Sequence, residues 1–492
     1  MAAVPNSIKT YLTAPVHIAP LAVLRVLFGA MMVISAVRFL WLGWLDEQYL
    51  KPMMHFTFYG FAWVKPLSAP WLYAVYTMML AAAAGMMLGF HYRISSVVFF
   101  LAFTYIELLD KAYYLNHYYF VSIVALLLML VPAHGYFSLD ALRTPSLKLS
   151  HVPRWTVDLF KLQVGIVYVF AGLAKLNSDW LLDAMPLRLW LPAHSDLPVI
   201  GALLGYEWTA YLFSWSGMLF DVTVVFFLMW RKSRPLAYLA VFLFHTLTGV
   251  LFPIGMFPLV MIMTTPIFFS ARFHRRLLWR LRYTGRRVLS ATGFHRRAAS
   301  SIWASVAARR LWKSSFEPAL LIFLAVHFSV QLMLPLRFLF YPDNLFWTEE
   351  GYRFSWRVML MEKSGTATFY VKDAKTGREG AVDNREFLNA TQEKQMSFQP
   401  DMILEYAHFL HCTYQSRGLT SPEVRAEVYV TLNGRPSRLY IDSTLNLARV
   451  PEGFAHKTWI LPFELSPSSA QAASTQNQST PADIAPQGLP PR

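Results

Sequence analysis

The apolar run from Trp155 to Ala174 is long enough to cross a lipid bilayer, and it ends directly at Lys175. The helical turn before this lysine contains no acidic residue that could neutralise it. A charged amine at that depth is costly, so the side chain either extends to the interface or is held uncharged as a base. The other polar residues at the same depth decide between these alternatives.

The rest of the chain is equally apolar, which excludes a soluble globular protein. Hydrophobic residues make up 55% of the 492 residues, and aromatic residues make up 16%. This composition predicts a polytopic α-helical membrane protein with about nine transmembrane helices. We expect these helices near residues 21–43, 71–90, 95–110, 114–133, 155–175, 208–230, 236–252, 254–269 and 316–340.

The charged residues predict how these helices are oriented. The formal charge is +15, and twelve Arg or Lys residues without any Asp or Glu lie between Ala271 and Lys313. A basic block between two apolar spans favours contact with anionic lipid at the cytoplasmic surface over nucleic acid. Connections after even-numbered spans are basic and those after odd-numbered spans are acidic. This alternation predicts a cytoplasmic N-terminus and an extracytoplasmic C-terminal region.

The C-terminal region has the pattern of a folded α+β or β-rich domain. Asn433–Gly434 between two β-prone runs predicts a hairpin, and apolar residues at helical spacing around Tyr406 predict a helix. The single cysteine, Cys412, excludes an intrachain disulfide. The expected domains are a transmembrane domain over 1–340 with a basic cytoplasmic loop at 271–313, an extracytoplasmic domain over 341–465, and a disordered tail over 466–492.

Three further polar residues are expected near the depth of Lys175. Asn116 and His117 begin the fourth predicted span, and His245 lies in the outer half of the seventh. Each polar group in lipid needs a partner, so convergence in one site is the functional interpretation, and hydrogen-bonded packing residues are the alternative. Lys161 lies about 20 Å deeper along the fifth helix and therefore cannot share that site.

Other polar residues are weaker candidates. His327 and Gln331 share one helical face, where interhelical hydrogen bonding is favoured over ligand binding. Arg188 could bind a substrate carboxylate, although a solvated loop charge is the favoured interpretation. His408 and His411 lack a third ligand, so we expect no metal site there.

Five stretches of the chain resemble the vitamin K-dependent gamma-glutamyl carboxylases and their bacterial relatives, which share a horizontally transferred transmembrane domain. These stretches are Leu115–Tyr119, His134–Leu142, Ile166–Trp180, Phe244–Phe257 and Leu334–Leu360. The resemblance implies a membrane-bound carboxylase that uses reduced vitamin K, a menaquinol- or phylloquinol-type hydroquinone. Oxidation of the hydroquinone by O2 to the epoxide would drive the addition of CO2 to glutamate side chains of a peptide or protein substrate.

The resemblance also implies roles for individual residues. Lys175 would be the catalytic base that activates the hydroquinone, and His117, with Asn116 beside it, would stabilise charge nearby. His117 and His245 would contact the cofactor. The residues implied to contact the glutamyl substrate are Tyr352, Ser355 and Trp356.

The chain departs from the animal members of this family at Ala174 and Met361, where those members have a lysine and a histidine. The implied location is the bacterial inner membrane, with the active site on the extracytoplasmic side. Two alternatives to a carboxylase remain open at this point. One is a quinone-dependent oxidase or epoxidase without protein carboxylation, and the other is a transporter or scaffold whose polar residues are structural.

Overall fold

The computed structural model describes residues 6–291 and 318–463 of the chain. The basic loop after residue 291 and the predicted tail over 466–492 lie outside the described residues. The α-helices before residue 341 are α1 (Asn6–Thr13), α2 (Ala19–Trp41), α3 (Ala69–Leu88), α4 (Tyr92–Leu108), α5 (Asn116–Leu130), α6 (Leu139–Arg143), α7 (Trp155–Leu173), α8 (Ser178–Leu181), α9 (Leu187–Trp190), α10 (Gly201–Leu204), α11 (Glu207–Met229), α12 (Arg234–Leu251), α13 (Phe257–Thr264), α14 (Ala271–Ala291) and α15 (Pro318–Met333).

Shorter elements connect or extend these helices. Strands β1 (Pro15–His17) and β2 (His151–Pro153) form an antiparallel pair that joins the segment before α2 to the segment before α7. Residues Asp46–Leu50 form a π-helical turn. The 3₁₀ turns are Lys111–Tyr113, Ala133–Gly135, Pro145–Leu147, Pro192–His194, Thr265–Phe268, Leu334–Phe340, Asn384–Glu386 and Leu447–Arg449.

Six helical segments of the described residues are long and apolar enough to cross a membrane. They are α2, α3, α7, α11, α12 and the segment Ala319–Phe340. Each of the nine spans expected from the sequence coincides with a described helix, but α4, α5 and α13 are shorter than these six. The apolar helices indicate a membrane protein, and the count of about nine spans stays a prediction.

Helices α7 and α11 pack in close contact because Gly172 lies where they meet. A Cβ atom on Gly172 would lie 2.6 Å from Cγ2 and 2.7 Å from the backbone nitrogen of Val222. Gly29 of α2 has the same relation to the backbone of Met87 in α3. Lipid gives no hydrophobic driving force for helix association, so membrane helices associate through close packing. Small residues allow the helix backbones to approach closely enough for that packing.

Polar side chains inside the bundle are hydrogen-bonded to one another. The distance between Nε2 of His327 on α15 and Oε1 of Gln163 on α7 is 3.1 Å, a hydrogen bond. Gln163 donates from Nε2 to Oε1 of Gln331 at 3.2 Å, and Gln331 donates to the Tyr119 hydroxyl on α5 at 2.7 Å. The prediction that His327 and Gln331 form interhelical hydrogen bonds is confirmed.

The stretch His134–Leu142 closes the end of the bundle where α3 stops and α4 starts. The fully buried Arg25 donates to the Met86 and Met87 carbonyl groups near the end of α3 at 2.7 and 2.8 Å, and to the Phe137 carbonyl at 2.5 Å. Asp140 accepts from the backbone N–H of Tyr92 at 2.8 Å, at the first residue of α4. Because helix ends leave backbone groups without partners, this stretch has a structural role.

The region after residue 341 folds around a four-stranded antiparallel sheet with strand order β4-β3-β5-β6. Its elements are α16 (Leu345–Thr348), β3 (Lys363–Lys372), β4 (Glu379–Ala381), α17 (Ala390–Met396), α18 (Pro400–Ser416), β5 (Glu423–Leu432) and β6 (Arg438–Leu439). Thr368 of β3 lies opposite Glu427 of β5. Asn433 and Gly434 have φ of 50° and 73°, as a tight hairpin requires. The predicted hairpin and the predicted helix around Tyr406 are both confirmed.

Buried charges connect the region after residue 341, which follows the apolar helices and is called the outer domain below, to the membrane part. Lys111 Nζ lies 3.0 Å from an Asp401 oxygen and 2.8 Å from a Glu405 oxygen, both on α18. Arg353 donates to Asp401 at 2.5 Å. Burial opposes ionisation of Asp401, but the charges of Arg353 and Lys111 outweigh burial and hold its pKa well below its ordinary value. Removing one member would leave a buried charge uncompensated, so the network favours a single docking geometry.

Replacing Gly172 by Ala should force α7 and α11 apart, because the added methyl group overlaps the α11 backbone. We expect a loss of about 1–3 kcal/mol, measured as a lower melting temperature of the purified chain in detergent. Gly165→Ala in the same helix is the control, since its Cβ would lie in ordinary contact, 3.4 Å from Val225. An equal loss in both variants would contradict the close packing at Gly172.

Candidate active site

Lys175 lies just past the C-terminal end of α7 with its side chain turned into the protein. Its Nζ donates to the Asp221 carboxylate at 2.7 Å and to the Ala171 carbonyl at 3.0 Å. Nζ also lies 5.4 Å from the centre of the Trp180 ring. Lys175 is 6% exposed, so the amine does not extend to solvent. Of the two alternatives that the sequence left open, the structure excludes the side chain that extends to the interface.

Asp221, the partner of Lys175, was not predicted from the sequence. It is buried in α11 and comes from a different helix, 46 residues further along the chain. A signal existed, because Asp221 is the lone acidic residue inside the apolar helix Glu207–Met229 after its first residue. A carboxylate at membrane depth calls for a cationic or hydrogen-bonding partner, and Lys175 is the lysine at that depth.

His245 lies on α12 beside this pair. Its Nε2 is 2.9 Å from the Tyr168 hydroxyl of α7. Its Nδ1 is buried and has no hydrogen-bond partner within the described residues. A buried ring nitrogen left without a partner is unusual and is compatible with a ligand that completes the hydrogen bond.

Lys175, Asp221 and His245 line one cavity of about 90 Å³. Most of its other walls are aromatic or aliphatic, and they include Tyr168, Trp180, Phe244, Phe252, Phe257 and Met261. An apolar cavity with a few converging polar groups is typical of a small-molecule site.

A second cavity of about 380 Å³ lies next to the first, between the membrane part and the outer domain. Five residues line both cavities and form the partition between them: Trp190, Ile254, Phe257, Val358 and Met359. The second cavity also contains the predicted residues Asn116, His117 and Tyr352. The sequence-predicted residues therefore divide between two adjoining cavities instead of sharing one.

Phe257 separates the two predicted histidines. Its ring centre lies 6.1 Å from that of His117 and 5.8 Å from that of His245. Gly255, with φ of 60°, turns the chain before Phe257, and a Cβ there would lie 3.7 Å from His117. His117 and His245 thus contact opposite sides of the partition.

Asn116 holds the segment around Arg357 in place. Its Nδ2 donates to the Arg357 carbonyl at 2.8 Å, and its Oδ1 accepts from the Tyr114 hydroxyl at 3.0 Å. The bond to Arg357 joins the start of α5 to the outer domain, and the bond from Tyr114 orients the Asn116 amide. The geometry therefore favours a positioning role for Asn116.

The other predicted substrate residues are placed differently from Tyr352. Ser355 is buried, and its hydroxyl donates to the Tyr352 carbonyl. Trp356 is buried and stacks on Tyr119 with ring centres 5.0 Å apart. Neither residue lines either cavity. Arg188 also lines neither cavity, and it pairs with the exposed Glu207 at 2.8 Å.

Four cations that the sequence analysis did not single out line the second cavity. They are Lys111, Arg353, Arg357 and Lys363. Three of them are paired with carboxylates: Lys111 and Arg353 in the docking network, and Lys363 with Glu349 at 2.8 Å. Arg357 has no carboxylate within ion-pair distance among the described residues, and its guanidinium lies 4.4 Å from the Phe338 ring centre. Burial lowers the pKa of Arg357 to about 10, so it stays charged near neutral pH.

The histidines of the outer domain lie away from both cavities. His408 hydrogen-bonds Glu452 at 3.1 Å and the Val450 carbonyl at 2.9 Å. His411 hydrogen-bonds the Pro422 carbonyl at 2.7 Å. The described residues contain no group of three or more His, Cys, Asp or Glu residues that could hold a metal ion.

Two family models match the chain. One, described as the HTTM domain, covers residues 13–273, and the other, described as the lumenal domain of vitamin K-dependent gamma-carboxylase, covers residues 316–466. No solved structure matches the chain. The chain belongs to the vitamin K-dependent gamma-glutamyl carboxylase family. This membership indicates a membrane enzyme with a carboxylase-like function.

The paired and unpaired arginines of the second cavity should respond differently to substitution. Arg353→Gln should destabilise the chain by about 3 kcal/mol, because it leaves Asp401 buried with one cation fewer. Arg357→Gln should change stability by less than about 1 kcal/mol, since no carboxylate loses its partner. Melting temperatures of both variants in detergent test this, and a large loss in Arg357→Gln would mean that Arg357 has a structural role.

Proposed function

We propose that this chain is a vitamin K-dependent gamma-glutamyl carboxylase. It would couple oxidation of reduced vitamin K to the epoxide by O2 with addition of CO2 to glutamate side chains. The observation that carries this proposal is the buried Lys175–Asp221 pair in an apolar cavity that adjoins a cationic one. In this proposal residues 1–340 form the catalytic membrane domain, and residues 341–465 present the substrate from the extracytoplasmic side of a bacterial inner membrane.

The residues around Lys175 fit a hydroquinone. Aromatic walls such as Trp180 and Phe257 suit the faces of a ring, and an isoprenoid tail partitions into lipid. Two polar groups are available for its oxygens, the Lys175 amine and the buried Nδ1 of His245, which lacks a partner among the described residues. When bound, the hydroquinone supplies, through its oxidation, the strong base that removes a γ-proton from glutamate.

Lys175 acts as the general base in this proposal. Its Nζ needs a free electron pair to take a proton from the hydroquinone. Asp221 Oδ2, at 2.7 Å, accepts a proton from Nζ and so restores that electron pair. The two side chains then exchange one proton without adding net charge to the cavity, which suits a low dielectric. Asp221 acts through Lys175 and is therefore a positioning residue.

His245, His117 and Asn116 support this step in different ways. His245, oriented by its bond to Tyr168, presents the other ring nitrogen to the cofactor. His117 lies across Phe257 and can stabilise negative charge near the partition, while Asn116 positions the segment that carries Arg357. The apolar partition itself limits access of water to the Lys175 cavity.

The second cavity is the proposed site for the glutamyl substrate. An acidic side chain entering it meets Arg357, which lacks a carboxylate among the described residues, and Lys363, whose Nζ is held by Glu349 and the Trp347 carbonyl. Arginine binds carboxylates with two parallel hydrogen bonds, which would orient the side chain. Tyr352 lines the same cavity, whereas Ser355, Trp356 and Arg188 would contribute to packing or to the surface.

An oxidase or epoxidase without protein carboxylation is the second candidate function. Met361 lines the cationic cavity at the position where animal members have a histidine. A thioether cannot exchange a proton with substrate, so this position favours the simpler reaction. Oxidation of the hydroquinone would still depend on Lys175 and Asp221.

Lys175→Ala should abolish hydroquinone oxidation, because the base is removed. We expect at least a 100-fold lower rate of epoxide formation, within the roughly 10²–10⁴-fold range of acid–base catalysis. The assay should follow epoxide together with incorporation of labelled CO2 into a glutamate-rich peptide. Lys161→Ala is the control, since Lys161 lies on the same helix but pairs with Asp158. Epoxide without labelled peptide in the wild type would favour the oxidase. Normal epoxidation by Lys175→Ala would reject Lys175 as the base, and absence of epoxide from the wild type would reject both functions.

Asp221→Asn should lower the epoxidation rate about 10- to 100-fold near neutral pH, because Asn cannot accept the proton from Nζ. Asp221→Glu keeps a carboxylate that can accept the proton, so it should retain more of the rate than Asp221→Asn. Equal rates of the two variants at unchanged melting temperatures would exclude proton transfer to Asp221.

A further inference from the structure

Helix α14 presents arginines to solvent without any carboxylate of its own to neutralise them. Its sequence contains neither Asp nor Glu. Five arginines are exposed among the α14 side chains that the structure describes: Arg272, Arg275, Arg276, Arg280 and Arg282. At 100° per residue these five lie within one half of the helix circumference, so their charges add on one face.

The other face of α14 fixes the helix to the bundle. Leu278 is buried against Ala19, Ala22 and Val23 of α2. These residues lie at the start of α2. The opposite end of α2 leads into the connection that contains Glu47. The backbone carbonyl of Glu47 accepts a hydrogen bond from Asn389 of the outer domain at 2.9 Å. Helix α14 therefore lies at the end of the membrane part that is remote from the outer domain and from Lys175.

Aromatic side chains accompany the arginines on the exposed side. Trp279 and Tyr283 stack with ring centres 5.5 Å apart, and Trp279 is 64% exposed. Trp and Tyr are enriched at the level of lipid headgroups, where one part of the ring is apolar and the other is wet. The exposed residues Arg93, Arg143 and Arg231 lie at the same end of the bundle, which extends the positive surface.

We propose that α14 binds the headgroups of anionic phospholipids in the leaflet remote from the outer domain. Guanidinium groups pair with phosphate through two parallel hydrogen bonds, and a surface without carboxylates favours anionic over zwitterionic lipid. Trp279 and Tyr283 would lie at headgroup depth, with α14 in the plane of the membrane. This inference is independent of the reaction at Lys175.

The test measures lipid retained by the full-length chain in detergent micelles that contain equal amounts of phosphatidylcholine and phosphatidylglycerol. Quantitative mass spectrometry should find phosphatidylglycerol enriched about threefold or more over the offered ratio. Changing Arg276, Arg280 and Arg282 together to Gln should bring the retained ratio close to the offered one. Changing the same three residues to Lys keeps the charge and should preserve the enrichment.

The matched control removes three exposed arginines of the outer domain, Arg378, Arg385 and Arg449, by the same change to Gln. It should retain wild-type enrichment. Equal enrichment in all four proteins, or equal loss in the control and the α14 variant, would overturn the proposal. An RNA-binding result would also overturn the proposal. In that result, wild type in phosphatidylcholine nanodiscs binds a labelled RNA, the α14 Gln variant does not, and phosphatidylglycerol does not compete with the RNA.

Discussion

The contact between Lys175 and Asp221 is the interaction on which the arrangement of the candidate site depends. An amine or a carboxylate alone at that depth would carry a desolvation cost of several kcal/mol without compensation. At 2.7 Å the amine donates a hydrogen bond to the carboxylate, so each group is the polar partner that the other needs. The contact also joins α7 to α11 one turn from Gly172, where the backbones are closest. The position of the proposed base and the packing of the two helices therefore depend on each other.

The sequence predicted the elements of the fold better than it predicted their contacts. Apolar runs located the helices, and the Asn433–Gly434 signal located the outer hairpin, because both depend on local composition. Asp221 was missed although it is conspicuous in an apolar helix, since hydropathy gives depth in the membrane but not which helices face each other. His245 and His117 were expected in one site for the same reason, and the ring of Phe257 separates them.

The segment from Tyr352 to Trp356 illustrates a second limit. The resemblance implied that Tyr352, Ser355 and Trp356 contact the substrate, but it could not predict which side chains face a cavity. Of these three residues, only Tyr352 lines one. Phe354 and Trp356 both have φ of 60°, a left-handed conformation that no strand or helix pattern anticipates. Trp356 consequently stacks on Tyr119, and the polar lining comes from Arg353 and Arg357 instead.

The proposed reaction needs both a basic amine and an acidic substrate, and the structure has an apolar cavity at Lys175 beside a cationic one. An acidic substrate is attracted to cations, and a carboxylate bound to Lys175 would hold its amine in the charged form, which cannot act as a base. Lys175 already has Asp221 as its partner, whereas Arg357 has no carboxylate within the described residues. A carboxylate entering between the domains therefore gains more by pairing with Arg357. Asp221 would thus serve the reaction twice, by accepting a proton from the base and by leaving Arg357 as the better partner for the substrate's carboxylate.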